Sequence, residues 1–300
     1  MKNNLEYVEC AVCENKSFKS IIKQKELDYD LNLVICKKCS LGLLNPRWTK
    51  EAYNVYYKEE YDKQYRSDIE SEEEKYLSPN PIIERFKNND IDISKFKNIL
   101  DIGCGSGENL VAFKNANPKI ECYGIEPSIK SQKKLINKGV NIISDDVDSN
   151  WDFDCENKFD IIIMRHVLEH FLTPLEVLKK VYNVLNKNGI LYIAVPNNLL
   201  EKRYDGWLRL AHTYYFNAYT LSEILKKASF GIQYLHLEDE YNRFEVFSFV
   251  KKDLVNIDFL ITKKIVKHQE QAFKKSLKNN NMVSSKDSLK KSLGSLFKKK

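Results

Sequence analysis

The chain has 300 residues, 43% of them hydrophobic, enough for one ample core with a small appendage. No apolar run approaches the roughly 18 residues that span a bilayer, and the start, MKNNLEYVEC, has no apolar signal core, so a reducing cytosol is expected and the seven cysteines should form no disulfide framework. The net charge of +6 averages two unlike parts: residues 251–300 hold 14 Lys against four Asp or Glu, which leaves −4 on the first 250 residues and argues against a body that neutralises many phosphates.

In chain order, Cys10, Cys13, Cys36 and Cys39 come first, spaced C-x2-C-x22-C-x2-C. Two close thiolate pairs can hold the two sides of a tetrahedral structural zinc, and the stretch between them fits a two-stranded loop. Residues 1–48 are therefore expected to form a small zinc ribbon. A Tyr-rich, charged stretch follows at 51–76, with Tyr53, Tyr56, Tyr57, Tyr61 and Tyr65, and residues 49–94 read as a helical lid or linker. Cys104, Cys122 and Cys155 stand apart from the pairs.

From residue 95 the pattern becomes regular. Apolar runs at 98–102, 120–125, 140–143, 159–164 and 190–195 alternate with segments of helical period such as SIKSQKKLINK and PLEVLKKVYNVLNK. That alternation predicts a parallel sheet with helices on both faces. Thr173-Pro174 and the TLSE stretch at 220–223, with Thr220 as cap and Glu223 as its partner, predict two helix starts. Two last strands, 232–238 and 244–250, should pair as an antiparallel hairpin at one edge. The result is an α/β, Rossmann-like, seven-stranded and mostly parallel sheet over 95–252. The basic tail, 253–300, carries Leu289, Leu293, Leu296 and Phe297 on one helical face beside several lysines. It is expected to be a helical, partly disordered extension that is either simply solvated or in loose contact with an anionic membrane.

The loop ILDIGCGSG, residues 99–107, fails the dinucleotide fingerprint in both frames, because Glu108 or Leu110 falls where a third small residue is needed. It also lacks the Lys-Ser or Lys-Thr of a phosphate loop. Asp101 and Glu108 flank the glycines, which suits a cofactor bearing positive charge. Glu126, 25 residues beyond Asp101 and at the end of the next strand, can accept both hydroxyls of a ribose.

These residues resemble the class I S-adenosylmethionine-dependent methyltransferases. ILDIGCGSG is similar to their first motif, Glu126 to their ribose-binding acid, and SDDV to the segment whose acid meets the adenine, with Asp146 the better match and Asp145 the other. FDIIIMRHVLEHFLTP and LNKNGILYIAVPN follow in the family's order, over about 95–250. The resemblance implies S-adenosylmethionine held by Asp101, Gly103, Cys104, Gly105, Glu126, Asp146 and Arg165. The stretch CKKCSLGLLNPRW with EAYNVYYKEEY resembles the zinc-ribbon leader of bacterial methyltransferases from polysaccharide and sugar pathways. Sugar C-methyltransferases with that leader usually carry a further sizeable C-terminal domain, which this chain lacks, so O-methylation of a sugar or a glycan precursor, free or lipid-linked, is expected.

For a hydroxyl acceptor the candidate bases are His170 and His212, then His166. HVLEH also fits H-x-x-E-H, a peptidase zinc pattern that straddles a strand end here. Some methyltransferases of RNA 3′ ends and ubiquinone precursors carry E-x-x-E-H at this place and coordinate a divalent ion. By that resemblance His166, Glu169, His170 and His212 are candidate ligands, with His166 departing from the pattern. Met164-Arg165-His166 stands where enzymes methylating amino groups carry Asn/Asp-Pro-Pro-aromatic, which disfavours nucleic-acid amino groups. The alternatives are an RNA methyltransferase with a zinc-binding N-terminal module and a non-catalytic scaffold.

Overall fold

The computed structural model describes residues 4–26, 29–59, 80–152, 155, 158–198, 207–237, 245–252, 266–267 and 269–275. The apolar stripe from Leu289 to Phe297 lies outside the described residues, as do Tyr61, Tyr65 and His268.

The N-terminal part begins with the short β1 (Leu5–Glu6), then β2 (Phe18–Glu26), β3 (Tyr29–Cys36), β4 (Gly42–Leu44) and β5 (Arg47–Trp48). Strand β5 pairs with β1, while β2, β3 and β4 form an antiparallel meander. Helix α1 (Lys50–Glu59) leaves directly from β5. Helix α2 (Pro81–Asn88) starts cleanly because the Asn80 side chain accepts from the Ile82 and Ile83 amides and Pro81 occupies the first turn.

The expected sheet follows: β6 (Asn98–Ile102), α3 (Glu108–Ala116), β7 (Glu121–Ile125), α4 (Ile129–Asn137), β8 (Asn141–Ser144), β9 (Phe159–Arg165), α5 (Pro174–Val184) and β10 (Leu185–Pro196). After the two-residue β11 (Tyr214–Tyr215) come α6 (Ala218–Lys227), β12 (Phe230–His236) and β13 (Glu245–Lys252). The seven strands lie in the order β12-β13-β10-β9-β6-β7-β8. Only β13 runs against its neighbours, pairing antiparallel with both β10 and β12. The middle of β9, Ile161–Met164, is wholly buried, as a central parallel strand covered on both faces requires. On one face Ile82, Phe86, Leu110, Phe113 and Leu135 cover Ile99, Ile161 and Tyr192. On the other, Val177, Leu178, Val181, Leu221 and Leu225 cover Leu100, Ile162 and Leu191.

Three local expectations change. Helix α5 stops at Val184 rather than 187, because Leu185 turns extended and pairs with Phe159. Thr173 precedes α5 with Pro174 in the first turn, but its hydroxyl faces Asp148 Oδ1 at 3.4 Å instead of capping. Asn217, not Thr220, caps α6: the Asn217 side chain accepts from the Thr220 amide, and the Thr220 hydroxyl accepts from the Asn217 amide. The spacing sits three residues earlier than TLSE suggests.

The N-terminal meander is built into this body. Strand β11, from the long connection after β10, pairs with β4 and completes a four-stranded sheet β11-β4-β3-β2. Val34, Leu41 and Leu43 share one core with Leu221 and Phe216, so no solvent layer divides the cysteine region from the large sheet.

Candidate active site

A cleft of about 380 Å³ opens past the carboxyl ends of β6, β7 and β9. Its floor is Ile102, Gly103 and Ile125, and its sides carry Glu126, Asp145, Asp146, His166 and His170. Open α/β sheets bind ligands at this place. Gly103 has φ +70°, and a Cβ there would come within 2.4 Å of the branched Val167 side chain, so only glycine fits. Gly105 follows at φ +55°. Its amide donates to Glu126 Oε2 at 2.8 Å, and the Ser128 amide donates to Oε1 at 3.0 Å. Glu126 is fully buried in the fold yet lines the cleft.

Asp101 is 1% exposed and lies behind this surface. Burial pushes its carboxyl up to about 7, against the lowering bond from Asn109 Nδ2 at 3.1 Å. Cys104 is buried with its sulfur turned towards Gly124. Arg165 has its Nε 3.6 Å from Glu245 Oε2.

The histidines divide by electrostatics. His166, held in the left-handed region at φ +53°, bonds Glu245 Oε2 through Nε2 at 2.7 Å and lies 3.6 Å from Glu169 Oε1 through Nδ1. Burial would lower its pKa, but the two carboxylates outweigh it and raise the imidazole to about 9. An imidazolium at neutral pH is a poor proton acceptor, so His166 drops out as a base. Its partner Glu245 is held down to about 2, because His166, Arg165 and Arg85 overcome the cost of burial. His170 lines the cleft, and burial lowers its pKa, leaving it neutral. Its Nδ1 lies 3.1 Å from the Tyr57 hydroxyl, which comes from α1. His212 stands behind it, edge to face at 4.8 Å between ring centres, and burial lowers it further. One donor atom each from Glu169, His170 and His212 lie within 4.8 Å of one another. Glu169 is 1% exposed, and among the described residues neither of its oxygens accepts a hydrogen bond.

The four cysteines converge as their spacing predicts. Their sulfurs lie within 4.8 Å of one another, with Cys10–Cys39 at 3.4 Å and Cys13–Cys36 at 3.5 Å. Tetrahedral ligands at the zinc–thiolate distance stand about 3.8 Å apart, so the set fits a closed zinc site. Without a cation, hydrogen bonds from Cys10 and Cys39 favour a thiolate at Cys36, while the same contacts hold Cys39 protonated.

A family model described as a methyltransferase domain matches residues 66–235, more than half of the chain. The chain belongs to this methyltransferase family. A carboxy-S-adenosyl-L-methionine synthase of Campylobacter hominis is 30% identical over 104 residues, covering 32% of this chain and 43% of the relative. An uncharacterised protein of Rickettsia prowazekii is 35% identical over 112 residues, covering 32% and 41%. The methyltransferase thus spans less than half the length of the curated relatives it matches. Among solved structures, a SAM-dependent methyltransferase from Aquifex aeolicus shares 15% identity over 60% of this chain and 92% of its own, with a TM-score of 0.47.

Of the residues singled out from the sequence, the methyltransferase brings Gly103, Glu126, Asp146, His166 and His170 to the cleft surface. Asp101, Cys104, Gly105, Arg165 and His212 are not among the described residues that line it. Two features escaped the sequence reading. Helix α1 supplies Lys50, Tyr53, Asn54 and Tyr57 to the cleft. A buried knot joins Arg85, which donates to Tyr192 OH at 2.6 Å and to Glu245, to His166 at the cleft wall. A hydrophobic-flanked Arg in the helix PIIERFKN was the available signal for the second, and it looks like any surface helix charge.

Proposed function

We propose that this methyltransferase transfers a methyl group from S-adenosylmethionine to a hydroxyl of a sugar or glycan precursor. The observation that carries the cofactor assignment is Glu126, buried at the end of β7, bonded to the glycine loop, and open to the cleft. When bound, the cofactor supplies a methyl made electrophilic by a sulfonium. Gly103 leaves room for its backbone approach, Glu126 accepts the ribose hydroxyls, and Asp146 or Asp145 takes the adenine edge. Asp101, ionised, offsets the positive end of the cofactor. His170 is the base: it is neutral, it lines the cleft, and Tyr57 orients it. The sugar assignment is supported by the resemblance of the leader and by the mildly acidic body, which suits a small acceptor better than RNA. Purified protein with methyl-labelled S-adenosylmethionine, offered sugar nucleotides, lipid-linked sugars and bulk RNA in turn, should label a sugar pool. Label only in RNA would refute the acceptor class.

The zinc reading of Cys10, Cys13, Cys36 and Cys39 belongs to the same proposal, with a structural ion. A second reading concerns the base. Glu169, His170 and His212 would hold a divalent cation, without His166, and the supporting observation is the buried Glu169 carboxylate that accepts no hydrogen bond among the described residues. Ligands about 2.1 Å from one ion stand at most about 4.2 Å apart, so the rings would close by about half an ångström. Such a cation would acidify the acceptor hydroxyl in place of a base. Loss of turnover on EDTA treatment that leaves the four-cysteine zinc in place favours the cation, and full retention favours His170.

A further inference from the structure

The cysteine module touches the cleft along three routes. Helix α1 leaves β5 after a single residue, and Trp48 fastens it by packing against Tyr29 on β3 at 4.4 Å, Tyr53 at 5.5 Å and Tyr56 at 5.7 Å. The Tyr53 hydroxyl then donates to the Leu210 carbonyl at 2.9 Å. Along the second route Arg47, 7% exposed, donates through Nη1 to the Leu172 carbonyl at 3.1 Å and to the Tyr214 hydroxyl at 3.0 Å. Leu172 is itself part of the cleft wall. Along the third, β11 pairs with β4, and Thr213 beside it places its hydroxyl 3.0 Å from the carbonyls of both Glu169 and Phe171, the turn that carries His170.

Cys36 and Cys39 sit at the turn between β3, whose Tyr29 packs on Trp48, and β4, which pairs with β11. Cys36 ends β3, and Cys39 precedes the start of β4 by three residues. The turn between them closes through the Cys36 amide to the Leu41 carbonyl at 2.9 Å and the Ser40 amide to the Cys36 carbonyl at 3.0 Å. Cys10 and Cys13 meet this turn from the other side. Four thiols brought together without a cation repel once they ionise, so an ion is what holds both knuckles in register.

We propose that the four-cysteine site is the key that seats one wall of the cofactor cleft: with its metal bound, the module presses α1 onto the cleft and delivers Tyr57 to His170, and without it that wall withdraws while the seven-stranded sheet stands. Tyr57 is a positioning residue. Its hydroxyl lies 3.1 Å from His170 Nδ1. This inference rests on the S-adenosylmethionine and zinc readings above.

The test uses the full chain and S-adenosylhomocysteine as probe, with zinc content measured in each sample. Calorimetric affinity is compared before zinc removal, after a thiol-competing chelator, and after zinc is restored, with far-UV circular dichroism following the sheet. Stripping should weaken the probe roughly tenfold or more, zinc should restore it, and most of the dichroism should persist. Tyr57→Ala should weaken the probe several-fold with zinc content unchanged, and Tyr57→Phe, which keeps the ring, should bind within about twofold of the parent. Unchanged affinity in the stripped protein overturns the inference, as does collapse of the whole dichroism on stripping, which would make the metal a general stabiliser. A zinc-loaded chain that binds no probe overturns the cofactor reading too. A zinc-free chain as purified that binds it overturns this inference alone.

Discussion

Asp101→Asn should make the protein more stable and a worse enzyme. Asp101 is buried and ionises near 7 instead of the usual 3.8. That gap corresponds to about 4 kcal/mol that the ligand-free fold loses in keeping the carboxylate charged. The folded state binds the extra proton between pH 4 and 7, so stability falls as pH rises through that window and levels off above about 7. Asn has the same shape, and its carbonyl can still accept from Asn109 Nδ2, now 3.1 Å from Asp101 Oδ2. The variant should therefore lack the pH-dependent loss and melt several degrees above the parent at pH 8, with the two curves meeting near pH 4 to 5. Added S-adenosylhomocysteine or S-adenosylmethionine should stabilise the parent more than the variant, because the carboxylate gains a cationic neighbour. Thermal melts at half-unit steps from pH 5 to 8 check this. Parallel curves for parent and variant would refute the argument that Asp101 is a strained carboxylate.

Gly103→Ala should lose about 2–5 kcal/mol of stability from the left-handed backbone and the clash with Val167, read by urea unfolding. Glu245→Gln leaves Arg85, 2% exposed, without its charge partner and should cost about 3–5 kcal/mol, and adding Arg85→Met to it should recover part of that loss. Asn217→Ala should lower the melting temperature more than Glu223→Ala, since Asn217 caps α6 and donates to Ser40 and Gln269 as well.

The seven strands of the large sheet were legible because each is a compact apolar run bounded by turn residues, and the helix-free interval after α6 gave the antiparallel edge. Cysteine spacing marked the two knuckles whose four sulfurs converge, because a C-x2-C pair carries its geometry locally. What the sequence hid is long-range. Strand β11 is two residues in a connection and carries no periodic signal, yet it fuses the cysteine module to the sheet. That pairing joins the expected N-terminal ribbon to the connection after β10. Tyr57 and His170 are 113 residues apart, and nothing local to either predicts their bond. His166 looked like one histidine among three, and two carboxylates, Glu169 three residues on and Glu245 from β13, together raise its imidazole against the cost of burial. Arg165, expected at the cofactor by position, has its Nε 3.6 Å from that same glutamate, a residue from β13.

The central claim is that Glu126 and the glycine loop form an S-adenosylmethionine site. Isothermal titration of S-adenosylhomocysteine into the intact chain and into Glu126→Ala tests it most directly. One site per chain is predicted for the parent, with the variant weakened by the 1.5–3 kcal/mol typical of a charged hydrogen bond, about 10- to 150-fold. Absence of binding to the parent, or equal affinity in both proteins, would contradict the account.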